Sequence, residues 1–212
     1  MLPEQTSILI VGAGPTGLSA AISLFNQGCK DILIVDAAER SPDTSRAMAI
    51  HAATLEVGIS SYHRCILLTL LRQALETIGC ADKLLELGIK AESLNVWDRK
   101  APIFTFSIHE SLSSYTKYSY VLLLSQSKTE EVLEEHLKGL GIEVQRPYKA
   151  VGIQGDVDEF GNTQVLFESG EVVKAQYVIG ADGARSAVST ITFQLEYRVL
   201  THHYHRFVSR LA

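Results

Sequence analysis

A short apolar run that breaks into closely spaced glycines leaves few folds open to a chain. Ile8-Leu9-Ile10-Val11 is such a run, and Gly12-Ala13-Gly14-Pro15-Thr16-Gly17 follows it directly. Continuous apolar residues suit a parallel strand covered on both faces. Gly12 lets the chain turn sharply, Gly14 keeps a side chain away from an approaching pyrophosphate, and Gly17 lets a helix sit close to the strand. The helix start then offers unpaired N–H groups and a partial positive charge to phosphate. Pro15 fits there, because a first-turn N–H has no partner inside the helix.

Three glycines at this spacing are a weak signal alone, so the context decides. Leu18, Ala21, Ile22 and Phe25 follow at helical spacing, and Gly28 stands where a helix stops. Ile32 to Val35 reads as a second apolar strand ending at Asp36. An acid about 20 residues beyond the glycines is placed to accept from a ribose hydroxyl pair. The competing reading is a glycine turn in an ordinary α/β protein that binds nothing.

The composition supports a packed domain. Of 212 residues, 46% are hydrophobic and 20% charged, so a core is expected and disorder is not. The net charge of −5 argues against nucleic acid as the main partner. Cys29, Cys65 and Cys80 show no C-x-x-C spacing and read as reduced, structural thiols of a cytoplasmic protein. Met1 to Ser7 carries no basic residue and does not read as a signal peptide, and no apolar run approaches the ~20 residues of a membrane span.

Past Asp36, a polar loop carries Arg46, which is either a charge-assisted donor to the cofactor pyrophosphate or a solvated loop residue. Thr54-Leu55-Glu56 begins a helical pattern that resumes at Ala74-Leu75-Glu76-Thr77-Ile78-Gly79. Between them Val57–Gln73 reads as an insertion, such as a retained intron that kept the frame; the alternative is a genuine excursion with Ile66–Leu71 packed on the core. Leu84 to Leu87 continues as helix to Gly88, and Leu94–Asp98 with Ile103–Ser107 reads as a pair of strands. Trp97 and Phe104 there line an aromatic pocket or, more commonly for such residues, occupy core or half-buried positions. Tyr120–Leu124 is a strand that delivers Gln126 to a helix whose capping box would be Ser127 with Glu130. The acids of that helix, Glu130, Glu131, Glu134 and Glu135, read as a solvated face, and no metal site is expected. After the helix stops at Gly139 and Gly141, Ile142–Gln145 is a short strand. Ala150–Gln154, Gln164–Glu168 and Val172–Ala175 form a β-meander, and a return strand, Tyr177–Ile179, leads into Gly180-Ala181-Asp182-Gly183-Ala184-Arg185-Ser186.

The order of Gly12–Gly17, Asp36, Arg46, Gln126 and the Asp182-Gly183 motif resembles the single-component FAD monooxygenases of the p-hydroxybenzoate and phenol hydroxylase type. The likeness runs from about Ser7 to Val188, and its Asp-Gly motif is far more specific than the glycine turn. It implies an α/β fold: a Rossmann-like FAD-binding domain with a parallel sheet and a β-meander over residues 1–188, with the start of a mixed-sheet substrate domain over residues 92–120. It further implies that Gly12, Ala13, Gly14, Pro15, Thr16 and Gly17 seat the FAD pyrophosphate and that Asp36, where the family usually has glutamate, holds the adenosine ribose. Arg46 would stand near the phosphates and Gln126 against the ribityl or phosphate region. Asp182 and Gly183 would serve FAD and NADPH handling. Such enzymes take NADPH or NADH as reductant and O2 as co-substrate, and hydroxylate a small aromatic substrate.

The family's second flavin motif, Gly-Asp-Ala-Ala-His, is missing, and residues 189–212 read as an off-pattern tail. Its His202, His203 and His205 lack the acidic partners and second cluster of a metal site. These departures read as a truncated or misassembled product, and no residue stands out as catalytic. Two alternatives remain: a non-catalytic FAD- or nucleotide-binding fragment, and a different FAD enzyme of the same fold, such as an epoxidase or halogenase. A dehydrogenase using only NAD(P) fits least, given Asp182-Gly183. The oligomeric state is not legible.

Overall fold

The computed structural model describes residues 1–39, 49–50, 75, 77–98, 101–114, 116–154, 162–183 and 188. Arg46, the span 57–73 and the tail 189–212 lie outside them. The chain divides into two compact units, one of Met1–Pro42 with Leu133–Ala212 and one of Asp43–Val132.

The first unit is built on a five-stranded mixed sheet. Its strands are β1 (Gln5–Val11), β2 (Ile32–Val35), β8 (Ala150–Gln154), β9 (Thr163–Phe167) and β10 (Val172–Gly180), in the order β2-β1-β10-β9-β8. β1 runs parallel to both neighbours, whereas β8, β9 and β10 pair antiparallel as the expected meander. Leu9, Val11, Leu33 and Val35 join Ile153, Val165, Phe167 and Val173 in one buried cluster. Because side chains alternate along a strand, Ile8 and Ile10 point to the other face, and they are buried too. The uninterrupted apolar run of β1 thus matches a strand covered on both sides.

Helix α1 (Pro15–Asn26) packs against β1 and β2 and buries Gly17, Leu18, Ala21 and Ile22. Gly28, just past its end, takes a positive φ of 99°. Two expectations need correction here. The meander strand and the return strand are one element, β10: its first half pairs with β9, while Lys174 to Gly180 pairs with β1. Ile142–Gln145 forms no strand of its own and gives a single parallel bridge from Gln145 to Val35.

The second unit holds a three-stranded antiparallel sheet. β7 (Val121–Leu123) lies between β3 (Ala49–Ile50) and β4 (Ile89–Ala91), with Leu122 fully buried. Helix α2 (Ala81–Leu87) stops at Gly88, where a Cβ would stand 2.6 Å from Leu122 Cδ1. β5 (Ser93–Asp98) and β6 (Ala101–Ser107) form a separate hairpin, followed by the short helix α3 (Ile108–Leu112). Trp97 and Phe104 are 59% and 54% exposed, so the core or half-buried reading does not hold for them here.

Helix α4 (Gln126–Gly139) begins in the second unit and ends in the first, where Leu133 and Leu137 are fully buried. Its cap sits two residues earlier than expected. Ser125 Oγ accepts from the Lys128 N–H at 3.3 Å, and Glu130 instead accepts from Gln126 Nε2 at 2.6 Å.

Candidate nucleotide-binding site

In the first unit, β2, β1 and β10 end level with one another. Val11 is in register with Val35 on one side and with Gly180 on the other. The Gly12 N–H donates to Val35 O at 2.8 Å and the Ala181 N–H donates to Val11 O at 2.7 Å, so the ladder holds to the last residue of β1. The chain leaves β1 toward α1 and β2, while β10 on the other side is reached only from Val172 onward. Ligands of open α/β sheets bind at the carboxyl ends of strands where the connections part in this way.

The glycines let backbone segments pack against one another at this edge. Gly12 has φ +108°, and a Cβ there would overlap the Ala181 carbonyl and stand 2.6 Å from the Asp182 nitrogen. A Cβ on Gly17 would overlap the Gly12 carbonyl oxygen and lie 3.3 Å from the Ala181 Cβ. Two backbone segments far apart in sequence, the early glycine turn and the late aspartate turn, are therefore in direct contact. Gly14 is the N-cap of α1, with its carbonyl accepting from the Leu18 N–H at 3.0 Å. No side chain caps α1 and its first turn carries no acid. Pro15 has no N–H, which leaves those of Thr16 and Gly17 pointing out of the helix start.

Asp36 follows β2 and is held from both directions. Its N–H donates to Gln145 O at 3.0 Å, and its own carbonyl accepts from the Tyr148 N–H at 2.7 Å. Its half-buried carboxylate accepts from the Ala13 N–H at 2.6 Å through Oδ2 and from the Ala38 N–H at 2.8 Å through Oδ1. Asp182 is half-buried, with Oδ2 accepting from the Val188 N–H at 3.3 Å. Gly183, beside it, is exposed with φ +81°.

Gly12, Ala13, Gly14, Pro15, Thr16, Gly17, Asp36, Asp182 and Gly183 therefore gather at one sheet edge. Gln126 stands in the second unit, and Arg46 lies outside the described residues. Sequence reasoning missed Ala181, whose carbonyl and Cβ meet Gly12 and Gly17, and the Gln145–Tyr148 segment that anchors Asp36. For Ala181 the signal was its place between Gly180 and Asp182. For Gln145 and Tyr148 there was none, since both contacts are made by backbone. Among the described residues no cluster of acids, histidines and cysteines could hold a metal ion, and no helix is long and apolar enough to cross a membrane.

A parallel strand, a glycine turn and an uncapped helix start, joined by an acid after the next strand, define a dinucleotide-binding α/β domain. The chain belongs to the FAD binding domain family, whose model matches residues 5–199. It is 31% identical over 188 residues to the rifampicin monooxygenase of Rhodococcus hoagii, a match covering 87% of this chain and 33% of that protein. It is 27% identical over 192 residues to the pentachlorophenol 4-monooxygenase of Sphingobium chlorophenolicum, covering 87% of this chain and 31% of that one. The crystal structure of p-nitrophenol 4-monooxygenase PnpA from Pseudomonas putida DLL-E4 superposes with a TM-score of 0.73 at 23% identity, over 90% of this chain and 44% of that chain. These matches bear out the resemblance to flavoprotein aromatic hydroxylases. The chain spans about a third of the length of the curated relatives it matches.

Proposed function

We propose that this chain is the FAD-binding portion of a flavoprotein monooxygenase that hydroxylates a phenolic or other aromatic substrate with O2. NADPH or NADH would be the reductant, and the cytoplasm the location. The observation that carries the proposal is the backbone contact between the Gly12 turn and the Ala181–Asp182 turn at the carboxyl edge of β1 and β10. The relatives are named for oxygenation of rifampicin and pentachlorophenol, which supports an aromatic substrate.

The residues present fit the cofactor. Gly12 and Gly17 have no Cβ, which lets the turn pack against Ala181 and Asp182, Gly14 opens a helix with no side-chain cap, and the N–H groups of Thr16 and Gly17 suit the pyrophosphate. Ala13 and Pro15 hold the shape of that turn. Asp36 would take the adenosine ribose; each carboxylate oxygen accepts one N–H and keeps a further lone pair, which supports that reading. Arg46 would serve the phosphates, Gln126 the ribityl or phosphate region, and Asp182 with Gly183 the flavin and the nicotinamide donor. Bound flavin supplies electron transfer and oxygen activation, and the protein orients it and excludes water.

The hairpin of β5 and β6 would open the substrate domain. Leu94 lies opposite Phe106 and Val96 opposite Phe104, giving one exposed apolar face, while Asn95 and Thr105 hydrogen-bond on the other at 2.8 Å. A two-sided hairpin of this kind expects a cover, and the relatives are about three times as long as the matched region. The same exposure favours a second reading, in which the 212-residue chain alone binds FAD or ADP without chemistry.

Titration of FAD with purified chain, followed by the change in its fluorescence and visible absorption, tests the proposal. Saturable binding of one FAD per chain, weak and with little or no hydroxylase turnover, is expected. Absence of any flavin binding by folded chain refutes it. Phenol-dependent NADPH oxidation by the 212-residue chain would rule out the non-catalytic reading.

A further inference from the structure

We propose that Asp36 is a positioning residue that clamps the glycine turn into its phosphate-receiving shape, a role separate from any contact with ribose. The inference rests on the flavin-site reading above. Ala13 is buried, and neither β1 nor α1 supplies an acceptor for its N–H. The preceding N–H, of Gly12, is taken by Val35, and the first intrahelical bond goes from Leu18 to Gly14. A buried N–H left without an acceptor is costly. The Asp36 carboxylate takes it at 2.6 Å, across 23 residues of sequence. Bonds of this kind to a charged acceptor are stronger than neutral ones.

The clamp is itself anchored. Gln145 and Tyr148 fix the Asp36 main chain on both sides, and the Ala38 N–H fixes the second carboxylate oxygen at 2.8 Å. A turn rich in glycine loses much conformational freedom on ordering, so a fixed acceptor at Ala13 offsets part of that loss before any ligand arrives. The two N–H dipoles also oppose the negative field that a carboxylate would otherwise direct at a neighbouring phosphate. The short aspartate side chain suits this contact. A glutamate, the family's usual residue here, reaches further and would have to fold back to keep both N–H groups.

Backbone amide exchange on the ligand-free chain tests the clamp, with Asp36→Ala and Asp36→Glu compared to the parent. In Asp36→Ala, the amides of Ala13 and Ala38 are expected to exchange at least about tenfold faster, while those of Leu9 and Leu33 inside β1 and β2 stay protected and report an intact fold. Asp36→Glu, which retains charge and gains reach to a ribose, is expected to speed exchange at Ala13 and to bind FAD more weakly than the parent. Should Ala13 exchange stay at the parent rate in both variants while FAD affinity falls, Asp36 is a ribose ligand alone and the proposal is wrong. It is equally wrong if Asp36→Ala leaves Ala13 exchanging at the parent rate with FAD affinity unchanged. If the parent binds no FAD, the flavin reading fails, and the exchange arm still decides the clamp.

Discussion

The contact between Gly12 and the end of β10 makes a quantitative prediction when Gly12→Ala is set against Gly28→Ala. Both glycines have positive φ, +108° and +99°, so both alanines carry a left-handed strain of about 1–2 kcal/mol. At Gly28 nothing lies within 4 Å of the added Cβ, and strain is the whole effect. At Gly12 the Cβ overlaps the Ala181 carbonyl and crowds the Asp182 nitrogen. Those are backbone atoms tied to Val11 by the Ala181 N–H bond of 2.7 Å, so no side-chain rotation relieves the clash. Moving the end of β10 adds about 1–3 kcal/mol, in the range of overpacked interiors. Thermal unfolding followed by far-UV circular dichroism measures the difference. At roughly 2–4 °C per kcal/mol for a chain of this size, Gly12→Ala should melt several degrees below Gly28→Ala. Gly12→Ala should also lose FAD binding while Gly28→Ala keeps it. Equal melting temperatures would show that the two turns do not touch.

Other consequences follow from residues elsewhere in the fold. Gly139 ends α4 with open space around it and no positive φ, so Gly139→Ala should stabilise the chain by about 0.5–1 kcal/mol in urea unfolding. The Ser7 hydroxyl, at 2.7 Å, is the main influence holding the Asp31 carboxyl below its ordinary value of 3.8. Burial opposes it, and the Ser7 N–H and Thr6 hydroxyl reinforce it. A carboxyl lowered by folding contributes stability that is complete above its ordinary value and is lost as pH falls through the lower folded value. Acid unfolding should therefore begin at higher pH in Ser7→Ala, with the Asp31 carbon resonance titrating closer to its ordinary position. Burial pushes the Cys80 thiol up to about 11, whereas Cys29 is half-exposed. An alkylating reagent at pH 8 should modify Cys29 well before Cys80 in folded protein.

Much of the first unit was legible because its signals are local. Ile8–Val11, the glycine spacing, and the stripe of Leu18, Ala21 and Ile22 each state a period and a turn within a few residues. The failures lie where a partner decides. Nothing between Ala175 and Tyr177 shows that β10 continues while its neighbour changes from β9 to β1, because that switch is a matter of sheet order. Ser125 and Ser127 are equally good caps by residue type, and the Glu130 that favoured Ser127 is bonded to Gln126 instead. The gathering of Gly12 with Ala181, and of Ala13 with Asp36, is a tertiary event that no window of sequence contains. Trp97 and Phe104 read as pocket-lining or as core or half-buried residues, yet both are exposed on the hairpin that carries them.

The most direct test is a map of backbone amide shifts on adding FAD to the isotope-labelled chain. Movement of Gly14, Thr16 and Gly17 together with Asp182 and Gly183, saturating at one FAD per chain, is the predicted result. Shifts confined to one of the two turns, or scattered away from the carboxyl edge of β1 and β10, would contradict a single nucleotide held by both.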